Sequence, residues 1–181
     1  MKKRFWYFDI IHKYLPPTSE KYPRYLIHVV LVTEKALKIA KNLNLSPEQL
    51  QFIEEGAMLH DIGISKVEND GEYIRHGILG SEILNLEGYP KHALVAERHT
   101  GVGLCKEDII KDNLPLPHQD YIPVSIEEKI ISYADLFYTK DPKFLWTERS
   151  IDEVRKMMYK FGERHKQTLD SWINLFEDIQ S

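Results

Sequence analysis

The chain has 181 residues, about the length of one globular domain, and with 43% apolar and 29% charged residues it can build a core and is not compositionally disordered. A net charge of −4 gives no global reason to expect nucleic acid or an anionic membrane as partner. One cysteine, Cys105, excludes an intramolecular disulfide and any multi-cysteine zinc site.

"MKKRFWYFDI" starts basic, but Asp9 and His12 break the apolar run too early for a signal peptide. No apolar run approaches the roughly 18–20 residues that span a bilayer. The expectation is a soluble, cytoplasmic protein.

Helical periodicity dominates, and the alternation of a sheet is scarce. Residues 5–15 read as an amphipathic helix stopped by Pro16-Pro17. After Pro23 a second helix carries apolar residues at 26, 29, 30, 37 and 40, a stripe at helical spacing. Ser46-Pro47-Glu48-Gln49 starts a third, with a hydroxyl N-cap, proline at N1 and glutamine at N3 for a capping box. It should run to His60-Asp61, where Gly63 lets the chain leave.

"RHGILGSEILNLEGYP" predicts a helix ending at Gly88, and "PKHALVAERHTG" a short one ending at Gly101. Residues 112–123 hold three prolines and cannot form a regular helix. Capping boxes at Ser125 with Glu128 and at Ser150 with Glu153 start two more helices, and "TLDSWINLFEDI" closes the chain with a further amphipathic segment. The expected fold is all-α, a single bundle of seven to nine helices. Its core spans 19–140, with an N-terminal helical extension over 1–18 and C-terminal helices over 141–181 packing on it.

A lone histidine in a helical protein is usually a surface or satisfied core residue, so any functional case rests on a constellation. His60 and Asp61 end an apolar face, where core meets cleft, and a carboxylate buried there needs a cation or strong donors. Neighbouring positions on a helix point about 100° apart, so only a loosened terminus lets both side chains reach one ion.

"HDIG" at 60–63, with His28 upstream and Asp135 in "SYADLF" downstream, resembles the HD superfamily of metal-dependent phosphohydrolases over roughly residues 24–140. The resemblance implies that His28, His60, Asp61 and Asp135 ligate one metal. His76 in "IRHGILGSEIL" and His99 in "VAERHTGVG" match the histidines that two-metal members add. A dinuclear site follows: Asp61 bridges, His28, His60 and Asp135 hold one ion, and His76 and His99 hold the other. Asp61 and His60 are then catalytic as well as ligating.

The implied activity is cleavage of a phosphoester or phosphoanhydride of a nucleotide or related small molecule by a metal-bridged hydroxide, with Mn, Fe, Co, Ni or Zn all suited to this donor set. Two alternatives within the same resemblance are a di-iron oxygenase and a non-catalytic, metal-stabilised binding module. The lysine that some members carry directly after HDIG is replaced by Ile64.

Phosphate calls for positive charge beyond the metals, and Lys66, Arg75 and Arg98 are the candidate substrate-binding residues, the two arginines each preceding a candidate ligand. Residues 112–123 are either a pocket wall or a connector. The aromatics at Phe5, Trp6, Tyr7, Phe8, Trp172 and Phe176 read as core or dimer packing, so a homodimer is a further expectation.

Overall fold

The computed structural model describes residues 5–177. Among these, nine α-helices and three short 3-10 segments account for the regular structure, with one isolated antiparallel bridge between Leu104 and Tyr121. The helices are α1 (Tyr7–Tyr14), α2 (Tyr22–Asn42), α3 (Pro47–Leu59), α4 (His76–Leu86), α5 (Pro90–Arg98), α6 (Lys106–Lys111), α7 (Ile126–Asp135), α8 (Ile151–Met158) and α9 (Glu163–Glu177). The fold is all-α. Among the described residues no helix is long and apolar enough to cross a membrane.

Local chemistry explains most boundaries. Ser46 Oγ accepts the Gln49 N–H while the Gln49 side chain accepts the Ser46 N–H, the capping box that the spacing predicts. Ser150 and Glu153 repeat it. At Ser125 only half of the device forms. The hydroxyl caps Glu128 N, but the Glu128 carboxylate turns instead to Val124 N and Arg98. Helix α6 is absent from the sequence-based expectation. It starts where the Asp108 carboxylate accepts Cys105 N–H at 3.0 Å. The last residues of "TLDSWINLFEDI", from 178 on, lie outside the described residues.

The buried face of α2 is Tyr25, His28, Val29, Val32, Thr33, Ala36, Ile39 and Ala40. This corrects the expected stripe: Val30 is exposed, and Leu26 and Leu37 are only half-buried, because the face advances by three and four residues from Tyr25. One apolar cluster joins α2, α3 and α7 to α9 through Val32, Ile53, Ile131, Leu169 and Trp172. Another joins α1 to α2, α3 and α4 through Trp6, Ile11, Val29, Leu59 and Ile83. Helix α2 belongs to both, so His28 is held between two packed faces.

Helix α1 is tied down by a buried carboxylate. Glu55 accepts Trp6 Nε1–H at 2.9 Å and Gln51 Nε2–H at 2.9 Å, and lies 3.0 Å from His92 Nε2. Burial opposes its ionisation, but donors from Gln51, Trp6 and His92 outweigh this and hold the carboxyl below its ordinary 4.5. A folded-state pKa below the unfolded one gives stability that is present above about pH 4.5 and is lost as pH falls through the folded value. Acidification in that window is therefore expected to loosen α1, with a change in tryptophan fluorescence. Glu55→Ala, which removes the buried carboxylate that these three side chains share, is expected to cost about 1–3 kcal/mol in urea denaturation.

Helix α4 packs closely on α5 and on the 3-10 segment Ile62–Lys66. Small residues permit this. A Cβ at Gly63 would collide with backbone atoms of His76 and Gly80, one at Gly77 would stand 2.8 Å from Ala96 O, and one at Gly80 would stand 3.2 Å from Ala96 Cβ. Gly63 is therefore needed for close approach. The expected role, release of the chain from α3, is corrected: Gly63 sits inside a 3-10 segment with its backbone outside the left-handed region.

Candidate metal centre

Helix α3 stops at Leu59, and His60 keeps helical angles (φ −53°, ψ −33°) while Asp61 departs to φ −101°, ψ 9°. That departure resolves the 100° divergence of neighbouring helical positions, because Asp61 is no longer on the helix. His28 comes from the middle of α2, His76 opens α4, His99 follows α5, and Asp135 ends α7. All six expected ligands meet in one place.

The Asp61 carboxylate is at the centre. Its Oδ2 lies 3.2 Å from His28 Nε2 and 3.3 Å from His60 Nε2. Its Oδ1 lies 3.3 Å from His76 Nε2 and 3.4 Å from His99 Nε2. Asp135 Oδ1 closes the first group, at 2.9 Å from His28 Nε2 and 3.5 Å from His60 Nε2. Two sets result, His28–His60–Asp61–Asp135 and Asp61–His76–His99, each with donor atoms within 4.8 Å of one another.

The donor chemistry fits a cation in each. His60, His76 and His99 each place Nδ1 against the carbonyl three residues back, Ala57, Tyr73 and Ala96, at 2.6, 2.6 and 2.7 Å. Those carbonyls take the ring proton at Nδ1, so each Nε2 offers a lone pair to the cluster whenever its ring is neutral. His76 Nε2 and His99 Nε2 then face each other at 3.0 Å, an arrangement that wants a cation beside it. His28 Nε2, His60 Nε2 and both Asp61 oxygens are buried without a hydrogen-bond partner. Buried polar atoms this poorly satisfied are rare.

Protein charges also act on one another within the cluster. Burial opposes ionisation of Asp61, but Lys140 and His60 outweigh it and keep the carboxyl well below its usual range. Asp135 is held low in the same way, against burial, by His28 and His60. Burial likewise opposes charging of His60, yet Asp61 and Asp135 raise it to about 10. His76 goes the other way: burial, with His99 and Lys140 nearby, lowers it to about 4.

Lys140 is the functional candidate that the sequence reading missed. Its Nζ stands 2.6 Å from Asp61 Oδ2, outside hydrogen-bonding direction, with the side chain 19% exposed. Burial opposes its charge, but Asp61 and Asp135 raise its pKa. It also lines a cleft of about 290 Å³ with Lys21, Arg24, Tyr25 and Tyr73. The expected substrate-binding residues do not line that cleft. Lys66 is exposed, Arg75 stands 3.8 Å from Glu72, and Arg98 is bonded to Glu128 at 3.1 Å. Adjacency to His76 and His99 carried Arg75 and Arg98 onto other faces of their helices. His92 serves Glu55 and not the cluster.

A family model described as HD domain matches residues 25–139, a span containing all six clustered residues. An uncharacterized protein of Methanocaldococcus jannaschii is 37% identical over 144 residues, 76% of this chain and 78% of that protein. Two proteins named tRNA (cytidine(56)-2'-O)-methyltransferase also match. The one from Thermoplasma volcanium is 37% identical over 82% of this chain, and the one from Picrophilus torridus 38% over 63%. The matches span only 40% and 31% of those two proteins.

Crystal structures of the HD domain of the L. monocytogenes phosphodiesterase PgpH, alone and with cyclic-di-AMP, share the fold at TM-scores of 0.53 and 0.54. They cover 97% and 96% of this chain and 99% and 96% of theirs, at 16% and 18% identity. The chain belongs to the HD-domain family.

Proposed function

We propose that this protein is a metal-dependent phosphohydrolase that cleaves a phosphoester or phosphoanhydride bond of a small molecule of the nucleotide kind. One observation carries the reading: the two oxygens of Asp61 face separate groups of histidine nitrogens, so a single carboxylate joins two donor sets. His28, His60, Asp61 and Asp135 would hold one divalent ion, and Asp61, His76 and His99 the other, with Mn, Fe, Co, Ni and Zn suited to the nitrogen and oxygen donors. Such ions supply activation of water near neutral pH and neutralisation of charge on phosphoryl oxygens.

The chain's own groups do the rest. The carbonyls of Ala57, Tyr73 and Ala96 fix the three imidazoles in one tautomer and orientation, which saves reorganisation when the site is loaded. Lys140 reaches both Asp61 and the cationic cleft, so its ammonium would be placed to meet a phosphoryl oxygen there, beside Lys21 and Arg24. Support for a nucleotide comes from the likeness to the HD domain of the phosphodiesterase PgpH, seen also with cyclic-di-AMP.

The test is phosphate or nucleotide release from a panel of phosphomonoesters, nucleotides and dinucleotides, using protein purified without chelator and loaded in turn with Mn, Fe, Co, Ni and Zn. Turnover by the wild type that is lost in His60→Ala is the expected result. No turnover by any loaded form would overturn the reading.

Lys140→Met is expected to raise KM roughly 10- to 100-fold. It is also expected to tighten metal binding in calorimetry, because the ammonium no longer competes for Asp61. An unchanged KM with weakened metal binding would contradict the assigned role.

A further inference from the structure

Two clefts flank the ligand cluster, and they differ in kind. The first carries Lys21, Arg24 and Lys140. The second, about 350 Å³, opens beside Asp135 and is walled chiefly by Ile74, Leu104, Tyr138, Met157, Phe161 and His165. Tyr73 belongs to the first and Ile74 to the second, so the 3-10 segment Asp70–Arg75 divides them.

The second cleft is unsuited to a phosphoryl group. Asp108, Asp112 and Asp135 contribute to its lining. Its arginine, Arg149, already donates to Leu136 O at 3.0 Å and to Tyr138 O at 2.8 Å. Thioether and aromatic walls suit a flat, uncharged group, since methionine sulfur makes favourable contacts with ring edges. The volume is at the small end of the roughly 300–1,000 Å³ of small-molecule sites, room for one ring system.

A polar group points to a ring with a hydrogen-bonding edge. His165 is 4% exposed, and its Nε2 accepts from Arg164, which can only donate, at 3.0 Å. The ring proton is therefore on Nδ1, and Nδ1 is buried without a hydrogen-bond partner. Burial first, then Arg164, lowers the pKa of this histidine, which keeps it neutral at pH 7. Half-exposed Phe161 packs against the imidazole at 5.6 Å between ring centroids and forms one wall of the cleft.

We propose that this cleft is the subsite for the uncharged part of the substrate, a heteroaromatic ring with an acceptor atom on its edge, while the phosphoryl group is drawn to the cationic cleft opposite. The placement of the phosphoryl group rests on the phosphohydrolase reading; the ring subsite does not. Met157, Phe161 and His165 lie beyond the residues that match the family model while Ile74, Leu104 and Tyr138 lie within them, so the shared core and the C-terminal segments would set selectivity together.

Adenosine, which carries no phosphate, tests the subsite by saturation-transfer NMR on the full chain. Binding to the wild type is expected, with at least a tenfold loss in Met157→Trp, which fills the cleft. Phe161→Ala changes a half-exposed residue and is expected to weaken adenosine severalfold, which keeps the test decisive if Met157→Trp does not fold. In parallel, KM for benzyl phosphate should be roughly tenfold below that for methyl phosphate, whose leaving alcohol is of similar acidity.

Absence of adenosine binding, or binding that neither substitution weakens, would overturn the subsite. Equal KM for the two phosphates would do the same. Adenosine binding with no phosphate release from any ester would uphold the subsite and sink the phosphohydrolase reading instead.

Discussion

Asp61→Ala is expected to lower turnover by roughly a thousandfold or more and to remove bound metal from both donor sets, as read by steady-state kinetics and elemental analysis. The size follows from position. Asp61 is the only residue common to both groups, with one oxygen toward His28 and His60 and the other toward His76 and His99. A single-set ligand such as His99 should cost one ion and leave the other. Asp61→Ala also strips Lys140 of the carboxylate at 2.6 Å, and a charge left without its partner in a mostly buried place is costly, so the metal-free variant should be less stable than the wild type. Retention of both ions in Asp61→Ala would mean that the carboxylate bridges nothing.

Gly63→Ala is expected to destabilise the fold by about 3 kcal/mol or more in urea denaturation, far beyond what one added methyl does on a surface. The new Cβ would meet the carbonyl of His76 and the amide of Gly80, backbone atoms that cannot rotate aside as a side chain can. Relief requires α4 to move away from the 3-10 segment. His76 opens α4, so the same movement withdraws a donor from Asp61. Stability and the second donor set should therefore fail together in this variant. A loss below about 1 kcal/mol with metal content intact would refute the close-approach account.

Much of the site was legible because its residues are expensive to bury and occur in a fixed order. His60, Asp61, His76, His99 and Asp135 each sit at or near a helix end and His28 lies within an apolar helix, and the helices that carry them declare themselves by capping residues and periodicity. What stayed hidden depended on chain path. Lys140 lies in "YTKDPK", a polar stretch with no periodicity, and only the route of the chain after α7 brings its ammonium to Asp61. Helix α6 has six residues, too few for a pattern, and owes its start to the return of the Asp108 carboxylate to Cys105 N.

Proximity in sequence misled in the opposite direction. Arg75 and Arg98 stand next to His76 and His99, yet adjacent helical positions diverge, and these arginines find Glu72 and Glu128. Gly63 was conspicuous in the sequence for the wrong reason, since its need for space is created by a helix that arrives only when α4 folds back. His165 gave no signal at all. Its significance rests on a tautomer set by Arg164 and on a cleft that α8 and α9 complete.

Metal stoichiometry tests the central claim most directly. Calorimetric titration of the metal-free wild type with Mn²⁺ or Co²⁺, checked by elemental analysis, should give two ions per chain, and His76→Ala or His99→Ala should reduce this to one. A wild type that binds no ion, or variants that still bind two, would contradict a centre built on the two oxygens of Asp61.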